Sequence, residues 1–179
     1  MQPLHNHIVL FGFKHVGKSV IGKNLAKKLN CQFIDLDHQI ELLYENKLKE
    51  KYNCRQIMLN SGQDFFRSLE VNALCQIIDA PPSVISLGGG AALHPECQRL
   101  IKACILVHIT APKGIVYERI RMSGRPAFFK QGEDLLESFN RLWDERKKTF
   151  EDLQDYSIEN DSSVENAVAK ITNKLNIEE

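Results

Sequence analysis

Residues 12–19 read GFKHVGKS, and Gly12, Gly17, Lys18 and Ser19 fit the spacing G-x-x-x-x-G-K-[ST]. The stretch follows the apolar run HIVLF and precedes a helical pattern. A loop between a strand and a helix aims successive backbone N–H groups at one point, which also sees the positive end of the helix dipole. Side chains would block that approach, so glycine recurs. Lys18 brings a charge to β- and γ-phosphates, and the Ser19 hydroxyl suits Mg²⁺. His15 interrupts the loop; histidine enters left-handed backbone space more readily than most residues, so the loop can keep its shape with His15 facing solvent or the ligand.

Three further clusters carry chemistry. Asp35 and Asp37 form D-L-D at the end of an apolar run, where strand alternation predicts both carboxylates on one side and Leu36 on the other. Next to a phosphate loop, one carboxylate can hold water on a metal and the other can accept a hydrogen bond from an attacking alcohol. Gly88, Gly89 and Gly90 follow the apolar run SVISL and offer a row of N–H groups to an anion or hydroxyl; a plain flexible turn explains them equally well. Arg67 and Arg146 present planar forks matched to a carboxylate. Arg125, in the irregular stretch SGRPAFF, is a cation on a loop suited to close over a phosphate.

These residues must be held at the ends of regular elements. HIVLF (7–11), CQFIDLD (31–37), SVISL (83–87) and ACILVHIT (103–110) read as strands, and DYSIEN gives a fifth. Between them VIGKNLAKKL, HQIELLYENK and YNCRQIMLNSGQDFFRSLEVNALCQII have helical spacing, the last as one or two helices. APKGIVYERIRM, LLESFNRLWDERKKTFEDL and SVENAVAKITNKL follow as helices, the last capped by Ser162 or Ser163. Apolar strands alternating with helices predict an α/β fold: a three-layer α/β/α sandwich around a central parallel five-stranded sheet of P-loop kinase type. Ligands of such sheets bind beyond the carboxyl ends of the strands. That rule selects Gly12–Ser19, Asp35–Asp37, Gly88–Gly90 and the segment after Thr110.

The bulk numbers narrow the class. The 179 residues suit one domain, and 43% apolar with 26% charged residues is ordinary globular composition. Lys plus Arg and Asp plus Glu both number 23, so no basic excess argues for a nucleic acid or an anionic membrane as partner. No apolar run is long enough to span a bilayer, and the opening residues read as the first core strand rather than a leader. The five cysteines are odd in number, lack a C-x-x-C pair and read as reduced thiols in a cytoplasmic protein without a zinc site.

Taken in chain order, these stretches resemble the shikimate kinase family. GFKHVGKS resembles its G-x-x-G-x-G-K-[ST], with His15 in place of the middle glycine. FIDLDHQIE resembles its D-x-D followed by Ile-Glu, and SGQDFFRSLE its G-E-x-x-F-R-x-x-E with Gln63 for Glu. VISLGGGAAL resembles the central G-G-G, GRPAF the R-P-L lid and DERKKTF the late R-x-P-x-Y helix. The basic residue often found near the last strand of the family is replaced by Asn160, Asp161, Ser162 and Ser163.

The resemblance implies an ATP-dependent, Mg²⁺-requiring kinase that phosphorylates the 3-hydroxyl of shikimate. It implies that Gly12, Lys18 and the backbone from His15 through Val16, Gly17 and Ser19 to Val20 bind the nucleotide. Arg121 would stack on adenine, and Arg125 would reach the phosphates. Ser19 would ligate Mg²⁺, with Asp35 acting through water. Asp37 would hold the shikimate hydroxyls, and Arg67, Arg146, Gly88, Gly89 and Gly90 the rest of the acid, with Glu70 orienting the arginines. Lys18, Asp37 and Arg125 form the catalytic set. The expected organisation is a single domain over 1–179 with a substrate lobe near 38–67, a lid near 119–132 and a monomeric state. Two rivals stand beside it: a kinase for another small sugar acid such as gluconate, and a catalytically silent shikimate-kinase-like binding protein.

Overall fold

Ile8, Val9, Leu10 and Phe11 are all fully buried. Ile8 and Leu10 enter one apolar cluster with Ile21, Val107 and Phe139, while Val9 and Phe11 enter a second with Ile40, Leu74 and Ile85. A strand whose two faces both meet apolar side chains belongs in the interior of a sheet covered on both sides. The computed structural model, which describes residues 4–124, 126, 129 and 132–176, places it there.

The strands are β1 (Ile8–Phe11), β2 (Phe33–Asp35), β3 (Val84–Ser86), β4 (Ile105–Thr110) and β5 (Tyr156–Glu159). They form one parallel sheet in the order β2-β3-β1-β4-β5, with Leu10 opposite both Ser86 and Val107. The chain after β1 therefore emerges between two neighbours whose connections lead to opposite sides. The crevice beyond that point is where a doubly wound sheet receives ligands.

The helices are α1 (Lys18–Lys28), α2 (Leu36–Leu48), α3 (Cys54–Ser61), α4 (Gln63–Ile78), α5 (Pro95–Leu100), α6 (Lys113–Ser123), α7 (Leu135–Leu153) and α8 (Val164–Lys174). Residues of α1, α6 and α8 fill the first core, and residues of α2, α3, α4 and α5 fill the second. This is the expected three-layer architecture. The long stretch before β3 resolves into two helices that meet at Gly62, whose φ of 85° a side chain would strain. Asn53 and Gln56 close a reciprocal capping box on α3, and Ser163 rather than Ser162 caps α8.

One local expectation fails. Strand β2 stops at Asp35, and Asp37 lies in the first turn of α2, so alternation along a strand does not explain the D-L-D pair. The Asp35 carboxylate accepts the Asp37 backbone N–H at 3.1 Å and so starts a helix where the sequence suggested a continuing strand. The stretch after the glycine run also has structure that periodicity did not reveal. It holds 3-10 turns at Ala91–Leu93 and Ile101–Ala103 around α5, each too short to display a helical repeat.

Helix α7 deserves its length of 19 residues. Asp134 caps it by accepting from the Leu136 and Glu137 amides at 2.8 and 3.1 Å. Phe139 and Leu142 then enter the first core, and Phe150 the second, so the helix spans both layers. Phe139 meets Phe13 edge-on, with ring centroids 5.5 Å apart, and also contacts Tyr117 and Trp143. Replacing Phe139 with Ala should cost about 3–5 kcal/mol of unfolding free energy, read from the urea midpoint at unchanged slope.

Candidate active site

The loop after β1 is shaped by backbone contacts before any ligand is considered. Gly12 has φ 139°, and a Cβ there would lie 2.2 Å from the Ile109 carbonyl oxygen of β4. No side chain fits at that position. His15 (φ 66°) and Gly17 (φ 101°) are also left-handed, so the histidine takes a conformation that glycine adopts most readily. Alternation of this kind turns consecutive amides toward one point. Gly17 caps α1 without a side-chain hydrogen bond, and the first turn of α1 contains no acidic residue, so the positive helix end is left for an anion.

Lys18 reaches back over this loop, its Nζ donating to the carbonyls of Gly12 at 3.1 Å and Phe13 at 2.8 Å. Burial pushes its ammonium down to about 8, against the opposing pull of Asp37 and Asp35. Burial, followed by Lys14, Lys18 and Arg119, also lowers His15, which is therefore a neutral imidazole at neutral pH.

Beside the lysine, Ser19 Oγ donates to Asp35 Oδ2 at 2.7 Å and lies 3.4 Å from Ser86 Oγ. Two hydroxyls and one carboxylate are hard oxygen donors of the kind Mg²⁺ takes, and so few protein ligands suit an ion that completes its shell with phosphate and water. The Asp37 carboxyl is pushed up by burial and by Asp35, with Lys18 opposing. A raised carboxylate beside a buried cation is a candidate proton acceptor.

The glycine run forms the opposite wall. A Cβ on Gly88 would come within 2.7 Å of Asp37 Oδ1, and one on Gly90 within 2.7 Å of Arg67 Nη2. Glycine here leaves room for the Asp37 carboxylate and the Arg67 guanidinium in their present positions, and at Gly90 this is a matter of space, since its φ and ψ of −98° and −28° are ordinary. Arg67 donates to Glu70, which is 2% exposed and whose carboxyl burial raises despite the arginine. Arg146 stands over the Phe13 ring at 5.2 Å. Burial, then Arg67, pushes its guanidinium down to about 10. A buried cation lowered by a second cation nearby suits an incoming carboxylate, which would relieve it.

Lys18, Ser19, Asp35, Asp37, Ser86, Gly88, Gly89, Gly90, Arg67, Glu70 and Arg146 line one cavity of about 410 Å³, joined by Lys14, Cys54, Met58 and Phe66, while Gly12 shapes the loop from behind that lining. The family model described as shikimate kinase matches residues 15–176. The chain belongs to the shikimate kinase family. It is 33% identical to the shikimate kinase of Pelotomaculum thermopropionicum over 94% of this chain and 95% of that protein. It is 34% identical to the Macrococcus caseolyticus shikimate kinase over 96% and 97%. It matches 28% of the length of the bifunctional shikimate kinase/3-dehydroquinate synthase of Thermotoga maritima, with 30% identity over 82% of this chain. Among solved structures, the shikimate kinase from Acinetobacter baumannii in complex with shikimate superposes with a TM-score of 0.81 at 25% identity, covering 96% of this chain and 93% of that one. A gluconokinase from Sinorhizobium meliloti reaches 0.57 at 16% identity over 98% of each chain, a likeness of fold alone.

Within this family member, most of the residues singled out by motif converge. His15, Gly17, Lys18, Ser19, Val20, Asp35, Asp37, Arg67, Gly88, Gly89, Gly90 and Arg146 all line the cavity. Val16 contributes backbone only, since its side chain is 1% exposed in the core. Arg121 is not brought to the cavity: it lies on the outer side of α6, paired with Glu118 at 2.9 Å. Arg125 lies outside the described residues; its neighbours Gly124 and Pro126 line the cavity. No described helix is long and apolar enough to cross a membrane.

Sequence reasoning overlooked several contributors. Ser86 ends β3 and Asn160 follows β5, so the carboxyl-edge rule that selected the other loops could have found both. Cys54 opens α3 and donates its Sγ–H to the Asp37 carbonyl at 3.3 Å. Burial and the nearby Asp37 carboxylate hold its thiol well above the usual range. Cys97 is pushed up to about 12, again chiefly by burial, whereas Cys75 is exposed. Iodoacetamide at pH 8 should therefore label Cys75 at least about tenfold faster than Cys54 or Cys97, as read by peptide mass mapping. Equal labelling of Cys54 would contradict the polarity assigned to this end of the cavity.

Proposed function

We propose that this chain transfers the γ-phosphoryl group of ATP to the 3-hydroxyl of shikimate, giving 3-phosphoshikimate and ADP. The observation that carries the reading is the placement of a phosphate loop, a raised carboxylate and a pair of arginines around one cavity. A small polyhydroxy acid needs that combination: cations for its carboxylate, a carboxylate for its hydroxyls and amides for the phosphates of its partner. Shikimate bound to the Acinetobacter baumannii kinase supports the identity of the acid.

The roles follow from position. Arg67, oriented by Glu70, and Arg146 bind the carboxylate, and the glycine run lets the acid approach both Arg67 and Asp37. Asp37 accepts the proton of the 3-hydroxyl as its oxygen bonds to the γ-phosphorus. The bond from that phosphorus to the bridging oxygen breaks, and ADP leaves with the electron pair. Lys18 gives up the carbonyls of Gly12 and Phe13 for the phosphates, whose charge offsets the cost of its burial. Mg²⁺, held by Ser19 directly and Asp35 through water, would supply further charge neutralisation on the phosphates. Residues 38–67 serve as the acid-binding lobe, and 119–132, carrying Arg125, as the lid whose closure excludes water.

Among the rivals, the gluconokinase likeness concerns fold alone, and a silent binding protein has no need to keep Lys18, Ser19, Asp35 and Asp37 beside the acid-binding arginines. Purified protein with ATP and Mg²⁺ should release ADP only when shikimate is added. Asp37→Asn should lower kcat about 10²- to 10⁴-fold, the range of a lost general base. Gluconate-dependent release without a shikimate response would change the acceptor, and no release with either acid would overturn the assignment.

The pH dependence has a definite sign. Lys18 of the free protein must be protonated to meet the phosphates, and it loses its proton as pH rises through about 8. kcat/KM for ATP should therefore fall above about pH 8, while kcat at saturating ATP should lack that limb because the bound phosphates raise Lys18. The acid limb should lie above the ordinary aspartate range, set by Asp37. An ATP kcat/KM that is flat from pH 7 to 9.5 would contradict the lysine assignment.

A further inference from the structure

The phosphate loop has to present amides inward, so its carbonyls must be satisfied outward. A peptide unit holds its C=O and the following N–H in nearly opposite directions. Whatever fixes the carbonyl of one loop residue therefore aims the amide of the next. Two side chains from outside the loop do this at consecutive residues. Asn160 Nδ2 donates to the Val16 carbonyl at 2.9 Å, and Arg119 Nη1 donates to the His15 carbonyl at 2.9 Å. The orientation of the Asn160 amide follows from chemistry, since a carbonyl can only accept and the amide nitrogen must face it.

Asn160 is itself fixed. It follows β5 directly, and its backbone N–H donates to the Thr110 carbonyl at 2.8 Å, extending the β4–β5 pairing past the strand end. Its side chain also stands where a Cβ on Gly17 would be, at 2.6 Å. Glycine at 17 is thus needed twice, for its φ of 101° and for the room that Asn160 occupies.

We infer that Asn160 is a positioning residue of the phosphate loop: by holding the Val16 carbonyl it aims the Gly17 amide at the phosphates, with Arg119 doing the same for the Val16 amide from outside. Neither residue touches the acid wall, because neither lines the cavity. The inference rests on the reading of residues 12–19 as the ATP phosphate site. It goes beyond that reading by assigning the loop's shape to side chains from the other edge of the sheet.

The test measures binding of inorganic triphosphate and of ATP, both with Mg²⁺, by calorimetry on the full chain, together with the shikimate KM. Asn160→Asp keeps the shape and removes the donor; Asn160→Ala removes it without adding charge. Both should weaken triphosphate and ATP by the same factor, about five- to tenfold, the worth of one well-placed hydrogen bond, and leave the shikimate KM within about twofold. Unchanged triphosphate binding in both variants would overturn the inference, whether or not the melting temperature falls. So would a loss confined to ATP, which would make Asn160 a contact to the base. If neither Asn160 variant folds, Arg119→Gln at the surface decides, with about threefold weaker triphosphate binding expected and no change refuting. Failure of the unaltered protein to bind either ligand would overturn both this inference and the ATP reading, whereas normal binding that the variants retain overturns this inference alone.

Discussion

The approach of Gly12 to the Ile109 carbonyl is the constraint on which the site depends. With 2.2 Å between a hypothetical Cβ and that oxygen, the chain leaving β1 must run close against β4 before turning into α1. Everything the loop does follows from that course. It passes beneath Phe139 through Phe13, lies within reach of Asn160 beyond β5, and enters α1 at a left-handed glycine that leaves the helix end bare. A side chain at position 12 would not merely strain one residue; it would lift the loop from the edge that supports its carbonyls.

That support matters because the site concentrates charge in a place of low polarity. Lys18 and Arg146 are both pushed down by burial, and Asp37 and Glu70 are both pushed up by it. Each of the four carries a desolvation cost that its neighbours only partly repay. Tightly packed aromatic contacts on one side and a parallel sheet on the other hold them there. In the proposed reaction, phosphates at Lys18 and a carboxylate at Arg146 would lower that cost on arrival, so binding and electrostatic relief would be the same event.

The parts of this arrangement written in local patterns were legible in the sequence. Lys18 and Ser19 sit in a spacing whose geometry is fixed by the turn itself, and uninterrupted apolar runs such as HIVLF can only be interior strands. Asp35 and Asp37 were found for the wrong geometric reason, because a helix that starts by capping on Asp35 places the second carboxylate as well as strand alternation would. The edge rule could mark the position of Asn160 but not its role, and nothing marked Arg119, because their partners are backbone carbonyls 144 and 104 residues away in the chain. Arg121 stands apart from the converging residues: it lies on the outer face of α6, paired with Glu118.

Helix α7 joins the two halves of the chemistry. Phe139 in its first half packs on Phe13 of the phosphate loop, and Arg146, two turns later, stands over the same ring at 5.2 Å while facing the glycine run. One helix therefore packs against the phosphate loop through Phe139 and also carries Arg146 to the cavity wall. Phe13 sits at the junction, 4% exposed and touching both residues. The phosphate loop and the arginine-bearing wall are thus built on one aromatic cluster, so the packing that shapes the loop also seats Arg146.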